Sequence, residues 1–144
     1  MTQRTIRTII DGQQLLTATA GMTVSEAARL MKQRGVGAIM VVEDGRLAGI
    51  FTERDAVCRV LAEGRDVNAT LLVEVMTANP QTVRPDDSFA LALQKMHEGG
   101  FRHVPVVEDS RPVGMVSARD ALGPELEAFV YELLRQEQVS EILA

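Results

Sequence analysis

Thr52, Arg54 and Asp55 fall within four residues, behind a glycine, in the run Gly49-Ile50-Phe51-Thr52-Glu53-Arg54-Asp55. The same types return 65 positions later as Gly114-Met115-Val116-Ser117-Ala118-Arg119-Asp120. An ionised carboxylate accepts hydrogen bonds from both hydroxyls of a ribose. A guanidinium offers a fork of donors that suits phosphate oxygens. A hydroxyl at a helix start adds a donor beside unpaired backbone N–H groups that already attract an anion. Asp55 and Asp120 are therefore candidate sugar ligands, and Thr52, Arg54, Ser117 and Arg119 candidate phosphate ligands. The glycine, lacking Cβ, lets a ligand or a neighbouring backbone come close. A structural reading stands beside this one. Thr52-x-x-Asp55 and Ser117-x-x-Asp120 are also capping patterns, in which the hydroxyl holds a backbone N–H and the acid complements the helix dipole. Capping requires neither the arginine nor the glycine, yet both copies keep both.

The elements that must position these groups repeat as well. Met31 matches Met96, Gly35 matches Gly100, Val41-Val42-Glu43-Asp44 matches Val106-Val107-Glu108-Asp109, and Arg46 matches Arg111, all without a gap. Such register marks an internal repeat. In the first unit a short strand is predicted around Leu15, Leu16 and Thr17. A helix starts at the capping pair Thr23 and Glu26 and stops at Gly35. Ala38 to Val42 reads as a buried strand, Arg46 to Phe51 as its hairpin partner, and Thr52 opens a second helix with Ala56, Val57, Val60 and Leu61 on one face. The second unit follows the same order: Thr82-Val83 as strand, a helix from about Ser88 to His97, strands through Val104–Val107 and Val113–Val116, and a helix from Ser117. The expectation is an α+β fold of two pseudo-symmetric β-α-β-β-α repeats, residues 7–66 and 81–122, joined by a linker at 67–80 with a short helical turn. A 65-residue unit buries too little surface to be secure alone, so the halves are expected to pack face to face. Residues 123–144 read as an extra amphipathic helix with Leu126, Phe129, Val130, Leu133 and Leu134 on one face. That stripe covers the chain's own core or forms a dimer contact, and the pattern fits both.

Composition excludes several classes. With a net charge of −5 and interspersed charges, the chain lacks a basic run able to track nucleic acid. No apolar run reaches the length of a membrane span or a signal core, and one cysteine, Cys58, cannot form an intrachain disulfide, so a reducing cytoplasm is expected. Cys58 sits in an apolar helical stretch and reads as a small core residue. His97 falls on the polar side of a helix. His103 precedes a buried strand, where a phosphate contact, a cleft wall and a packed side chain are all open. Phosphate-loop, nucleophile-elbow and metal-ligand patterns are missing, so no catalysis, catalytic cofactor or metal is expected.

The duplicated Gly-x-x-Thr/Ser-x-x-Asp ends, the Val75-Met76-Thr77 entry to the second unit and the Arg102-His103-Val104-Pro105-Val106 stretch together resemble a tandem CBS domain pair, also called a Bateman module. The likeness spans about residues 7–122. It implies two clefts that hold adenosyl compounds such as AMP, ADP, ATP, NAD or S-adenosylmethionine. The aspartates Asp55 and Asp120 would hold the ribose, with Thr52 and Ser117 by the ribose and phosphate. By position it puts the base against Thr17, Ala18, Gly37, Ala38 and Ile39 in one cleft, and against Thr82, Val83, Arg102, His103, Val104 and Pro105 in the other. The small Gly37-Ala38 pair corresponds to the larger Arg102-His103 pair, so unequal sites are expected, the second with more affinity for phosphate charge and with Arg102 and His103 as further phosphate ligands. The resemblance also implies a regulatory module, a homodimer and a separate effector protein. An interaction scaffold with empty clefts is the alternative.

Overall fold

The structure is a computed structural model that describes residues 4–143, with side chains for residues 4–138. A short helix, α1 (Ile6–Ile10), leads to β1 (Thr17–Ala18), α2 (Val24–Arg34), β2 (Ala38–Glu43) and β3 (Arg46–Thr52). There follow α3 (Glu53–Asp55), which runs into a π-helical stretch at Ala56–Leu61, then α4 (Leu72–Val75) and β4 (Thr77–Ala78). The second half contains α5 (Phe89–Gly99), β5 (His103–Glu108), β6 (Arg111–Ser117), a 3-10 turn at Ala118–Asp120, and α6 (Gly123–Leu143). Ala144, the last residue of the predicted final helix, lies outside the described residues.

Capping places the main helices where the sequence puts them. Thr23 Oγ1 accepts from Glu26 N–H at the head of α2, and Ser88 Oγ accepts from Leu91 N–H at the head of α5. Both helices end on a left-handed glycine, Gly35 with φ 64° and Gly100 with φ 70°. The hairpins β2–β3 and β5–β6 match even in their irregularities, since each breaks register between its fourth and fifth residues, Val41/Val42 and Val106/Val107. One sheet has the order β1-β2-β3-β4, with β1 parallel to β2, and the other is the β5–β6 pair. Thr82-Val83, predicted as a strand, makes a single parallel bridge from Val83 to Val106.

The two cores are built from interleaved pieces of chain. The first cluster joins Val24, Ala27, Ile39, Val41, Phe51 and Val60 to Leu72 and Val75 of α4. The second joins Val83, Phe89, Leu93, Met96, Val104, Val106 and Val116 to Ile6 of α1. Equivalent backbone bonds fasten the two short helices: Leu72 N–H to Met22 O in one half, Ile6 N–H to Asp87 O in the other. The N-terminal segment therefore completes the second core, and the segment between the repeats completes the first. The motif glycines make room for this. A Cβ on Gly49 would lie 2.6 Å from Met76 Sδ and 2.9 Å from Thr77 O, and one on Gly114 would lie 2.6 Å from Ile10 Cγ2. Their role is close approach of the chain's own segments.

Three details depart from the expected pattern. The helix after Thr52 widens into π geometry, with Ala62 N–H bonded to Val57 O and Arg65 N–H to Val60 O, five residues back. A stripe spaced for an α-helix then splits: Val60 is buried while Val57 and Leu61 are 55% and 66% exposed. On this widened stretch Cys58 is exposed, where a core position was expected. The helix expected from Ser117 stops after one 3-10 turn because Ala121 is extended, φ −67° and ψ 129°, and α6 begins anew at Gly123-Pro124, where proline suits a helix start.

Gly49→Ala should lower unfolding free energy by about 1–3 kcal/mol through overpacking. In urea melts Gly114→Ala should cost less, since its added methyl meets a side chain first and Gly49→Ala also meets a backbone carbonyl.

Candidate functional site

The strap from α1 to β1 crosses between the halves, and beneath it opens a cleft of about 410 Å³. Strap residues 13–16 form one wall, Arg34 to Ala38 and Met40 another, and Met115, Ser117, Arg119, Asp120 and His103 the third. Strand alternation decides which residues of β2 reach it: Ala38 and Met40 line the cleft, while Ile39 and Val41 belong to the first core. The size falls within the range of small-molecule sites.

Asp120 is half-buried in this wall, and its Oδ2 accepts from Ser117 N–H at 2.7 Å. No hydrogen bond to its Oδ1 is made among the described residues. Its turn is held from behind: Arg4 donates to Asp120 O at 2.7 Å and forms an ion pair with Glu125 in the first turn of α6. That guanidinium holds the Glu125 carboxyl below its usual range. Arg119 is exposed at the cleft and Arg34 donates to Gln14 O at 2.9 Å, so two guanidiniums and an imidazole border the same space as the carboxylate.

Asp55, the counterpart of Asp120, is differently placed. It is 8% exposed, its Oδ2 accepts from Thr52 N–H at 3.0 Å, its own N–H donates to Thr52 Oγ1 at 3.1 Å, and Arg59 Nε stands 3.5 Å from Oδ1. Both carboxylate oxygens are engaged within the protein. Arg54 reaches across to Gly100 O at 2.7 Å. Thr52, Arg54 and Asp55 do not line the cleft, and the geometry of Thr52 and Asp55 is that of a reciprocal cap.

The predicted residues divide accordingly. Gly37, Ala38, His103, Ser117, Arg119 and Asp120 come together, although the sequence divided them between two clefts. Ala18, Ile39, Val83 and Val104 are core residues, and Pro105 is buried with its carbonyl bonded to Val83 N–H. Thr17 is exposed, Thr82 accepts from Lys95 through its carbonyl, and Arg102 is exposed with its carbonyl bonded to Ala118 N–H. The strap residues, Arg34 and Met40 were not foreseen. Arg34 carries no signal in its type, since a cation in the last turn of a helix is ordinary.

Gly37 brings the repeats together: a Cβ there would lie 2.8 Å from Glu53 Oε1 and 3.3 Å from His103 Cε1. Burial pushes His103 below its ordinary pKa; nearby Glu53 opposes the shift and Arg102 adds to it.

The CBS domain profile matches residues 7–61 and 72–124, and the chain belongs to the CBS-domain family. It is 41% identical over 107 residues to the CBS domain-containing protein YhcV of Bacillus subtilis (strain 168), covering 74% of this chain and 76% of that one. It is also 41% identical over 108 residues to CBSCBSPB2 of Arabidopsis thaliana, covering 74% of this chain but only 20% of that longer protein. Among solved structures, the CBS domain pair of protein MJ0100, in complex with 5′-methylthioadenosine and S-adenosyl-L-methionine, is 28% identical, with a TM-score of 0.74, covering 83% of this chain and 93% of that one. The CBS domain protein PAE2072 from Pyrobaculum aerophilum, complexed with AMP, is 22% identical with a TM-score of 0.79 over 89% and 99% of the two chains, a likeness of fold.

A lowered His103 pKa means the folded protein resists a proton that the unfolded chain accepts. Stability from this source is complete above the unfolded value of about 6.5 and is lost as pH falls below it toward the folded pKa. Between pH 7.5 and 5.5, wild type should therefore lose more unfolding free energy than His103→Gln in parallel denaturant titrations.

Proposed function

We propose that this chain is a regulatory module that binds an adenine nucleotide of the AMP, ADP, ATP or NAD class and reports energy or redox state to a separate effector protein. The observation that carries this reading is the placement of Asp120: a carboxylate with one oxygen left for a ribose diol, beside Ser117, Arg119, Arg34 and His103 for the phosphate, in a cleft of ligand size. Gly37, Ala38, Met40 and Leu16 offer the small and apolar surface on which a purine can lie. The complex of the MJ0100 domain pair with adenosyl compounds supports the ligand class.

The activity in this reading is binding without turnover, and the two motif copies are unequal: Asp120 holds the ligand while Asp55 holds the backbone. A ligand spanning both repeats favours one arrangement of them to the extent that it binds that arrangement better. The proposal includes a homodimer, supported by the row of Leu126, Val130 and Leu134 along α6 and Leu122 just before it, each about half exposed. It also includes a cytoplasmic setting, supported by the exposed free thiol of Cys58.

Thermal shift and calorimetry with AMP, ATP and NAD test this. A ligand at 100 times its Kd adds about 2.7 kcal/mol to native stability. Asp120→Ala should weaken binding tenfold or more through loss of charge-assisted hydrogen bonds. Asp55→Ala should leave affinity within about twofold and lower stability by about 1–2 kcal/mol, as loss of a cap does. No shift with any nucleotide would favour the scaffold reading, in which both acids serve as caps.

A further inference from the structure

Met115 presents a backbone N–H and C=O at the cleft edge of β6, and one side chain takes both. Gln13 Oε1 accepts from Met115 N–H at 2.7 Å, and Gln13 Nε2 donates to Met115 O at 2.9 Å. Both residues line the cleft. The first repeat solves the same edge differently: Gly49 and Ile50 of β3 pair with Ala78 and Thr77 of the true strand β4. A strand is held on its edge by its chain neighbours, whereas an exposed glutamine side chain leaves by rotating its own bonds. The second repeat thus has a main-chain donor–acceptor pair that opens onto the cleft once Gln13 swings away.

A carboxamide carries its donor and acceptor on neighbouring atoms of one plane. Adenine does the same with its 6-amino group and N1, and nicotinamide carries the carboxamide itself. Hypoxanthine and guanine offer O6 and N1–H at that edge, the reverse order. With the ribose fixed on Asp120, the base cannot turn over to correct the mismatch. We propose that the Met115 main chain is the base-reading subsite of the cleft and that Gln13 is its internal occupant, displaced by the donor–acceptor edge of adenine or of a carboxamide. The inference rests on the nucleotide-binding reading above and names how that site selects its ligand.

Calorimetry on the full chain tests it with AMP, inosine monophosphate and nicotinamide mononucleotide, comparing wild type with Gln13→Ala. Removing the occupant should tighten the cognate ligand about five- to tenfold, the worth of the competing hydrogen bonds, and leave inosine monophosphate unchanged. A gain with AMP alone assigns the subsite to adenine, and a gain with nicotinamide mononucleotide alone assigns it to nicotinamide. Unchanged or weaker binding of both, in a protein that still binds AMP, overturns the subsite and leaves the nucleotide reading standing. Failure of both proteins to bind any of the three overturns the two together. Because Gln13 also ties the strap to β6, a wild-type measurement accompanies the variants: the Gln13 side-chain NH2 signal in nuclear magnetic resonance, assigned through Gln13→Met. On AMP addition it should move to a solvent-like position, and an unmoved signal overturns the proposal.

Discussion

Each half of this protein is too small to close its own core, and the way the halves are completed shapes everything else. Leu72 and Val75 close the first core from the segment between the repeats, while Ile6 closes the second from the chain's N-terminal side. Once α1 is docked on the second repeat, the chain must travel back across the molecule to reach β1 in the first. That crossing lays residues 13–16 over the junction and makes a roofed cleft. The motif glycines belong to the same constraint, because Gly49 and Gly114 leave room for Met76 and Ile10 of the completing segments.

The cleft's electrostatics follow from how two copies of one cap are loaded. At Asp55 the carboxylate is nearly buried, bonded to the Thr52 amide and faced by Arg59. At Asp120 the position four residues on is Pro124, which has no charge to offer, and the carboxylate accepts from the Ser117 amide. The cation that steadies this turn, Arg4, binds the Asp120 carbonyl and Glu125 and not the carboxylate, whose Oδ1 makes no hydrogen bond among the described residues. The same local sequence thus has both carboxylate oxygens engaged in one repeat and one engaged in the other.

Much of this is legible in the residues. Thr23, Ser88, Gly35 and Gly100 mark α2 and α5 by short-range chemistry, which a sequence displays directly, and the 65-residue register carries the hairpins and their bulges. What is not legible depends on contacts between distant segments. α1 is a five-residue helix rich in β-branched isoleucine, with little intrinsic tendency to form, and it exists because it docks. The exposure of Cys58, Val57 and Leu61 follows from a π-helical widening that periodicity cannot show. Gly37 and Ala38 line one cleft with Asp120 because the repeats face one another, whereas correspondence along the chain paired them with Asp55. Ala18, Ile39 and Val104 are core because strand alternation turns them inward, a one-residue distinction that positional analogy blurs, and Val83 joins the second core through its bridge to Val106.

A crystal structure of the chain soaked with AMP tests the central claim most directly. The account predicts one nucleotide per chain, its ribose diol on the Asp120 carboxylate and its phosphate toward Arg119, Arg34 and His103, with the Asp55 cap intact. A nucleotide seated on Asp55 while the cleft beneath residues 13–16 stays empty would contradict it.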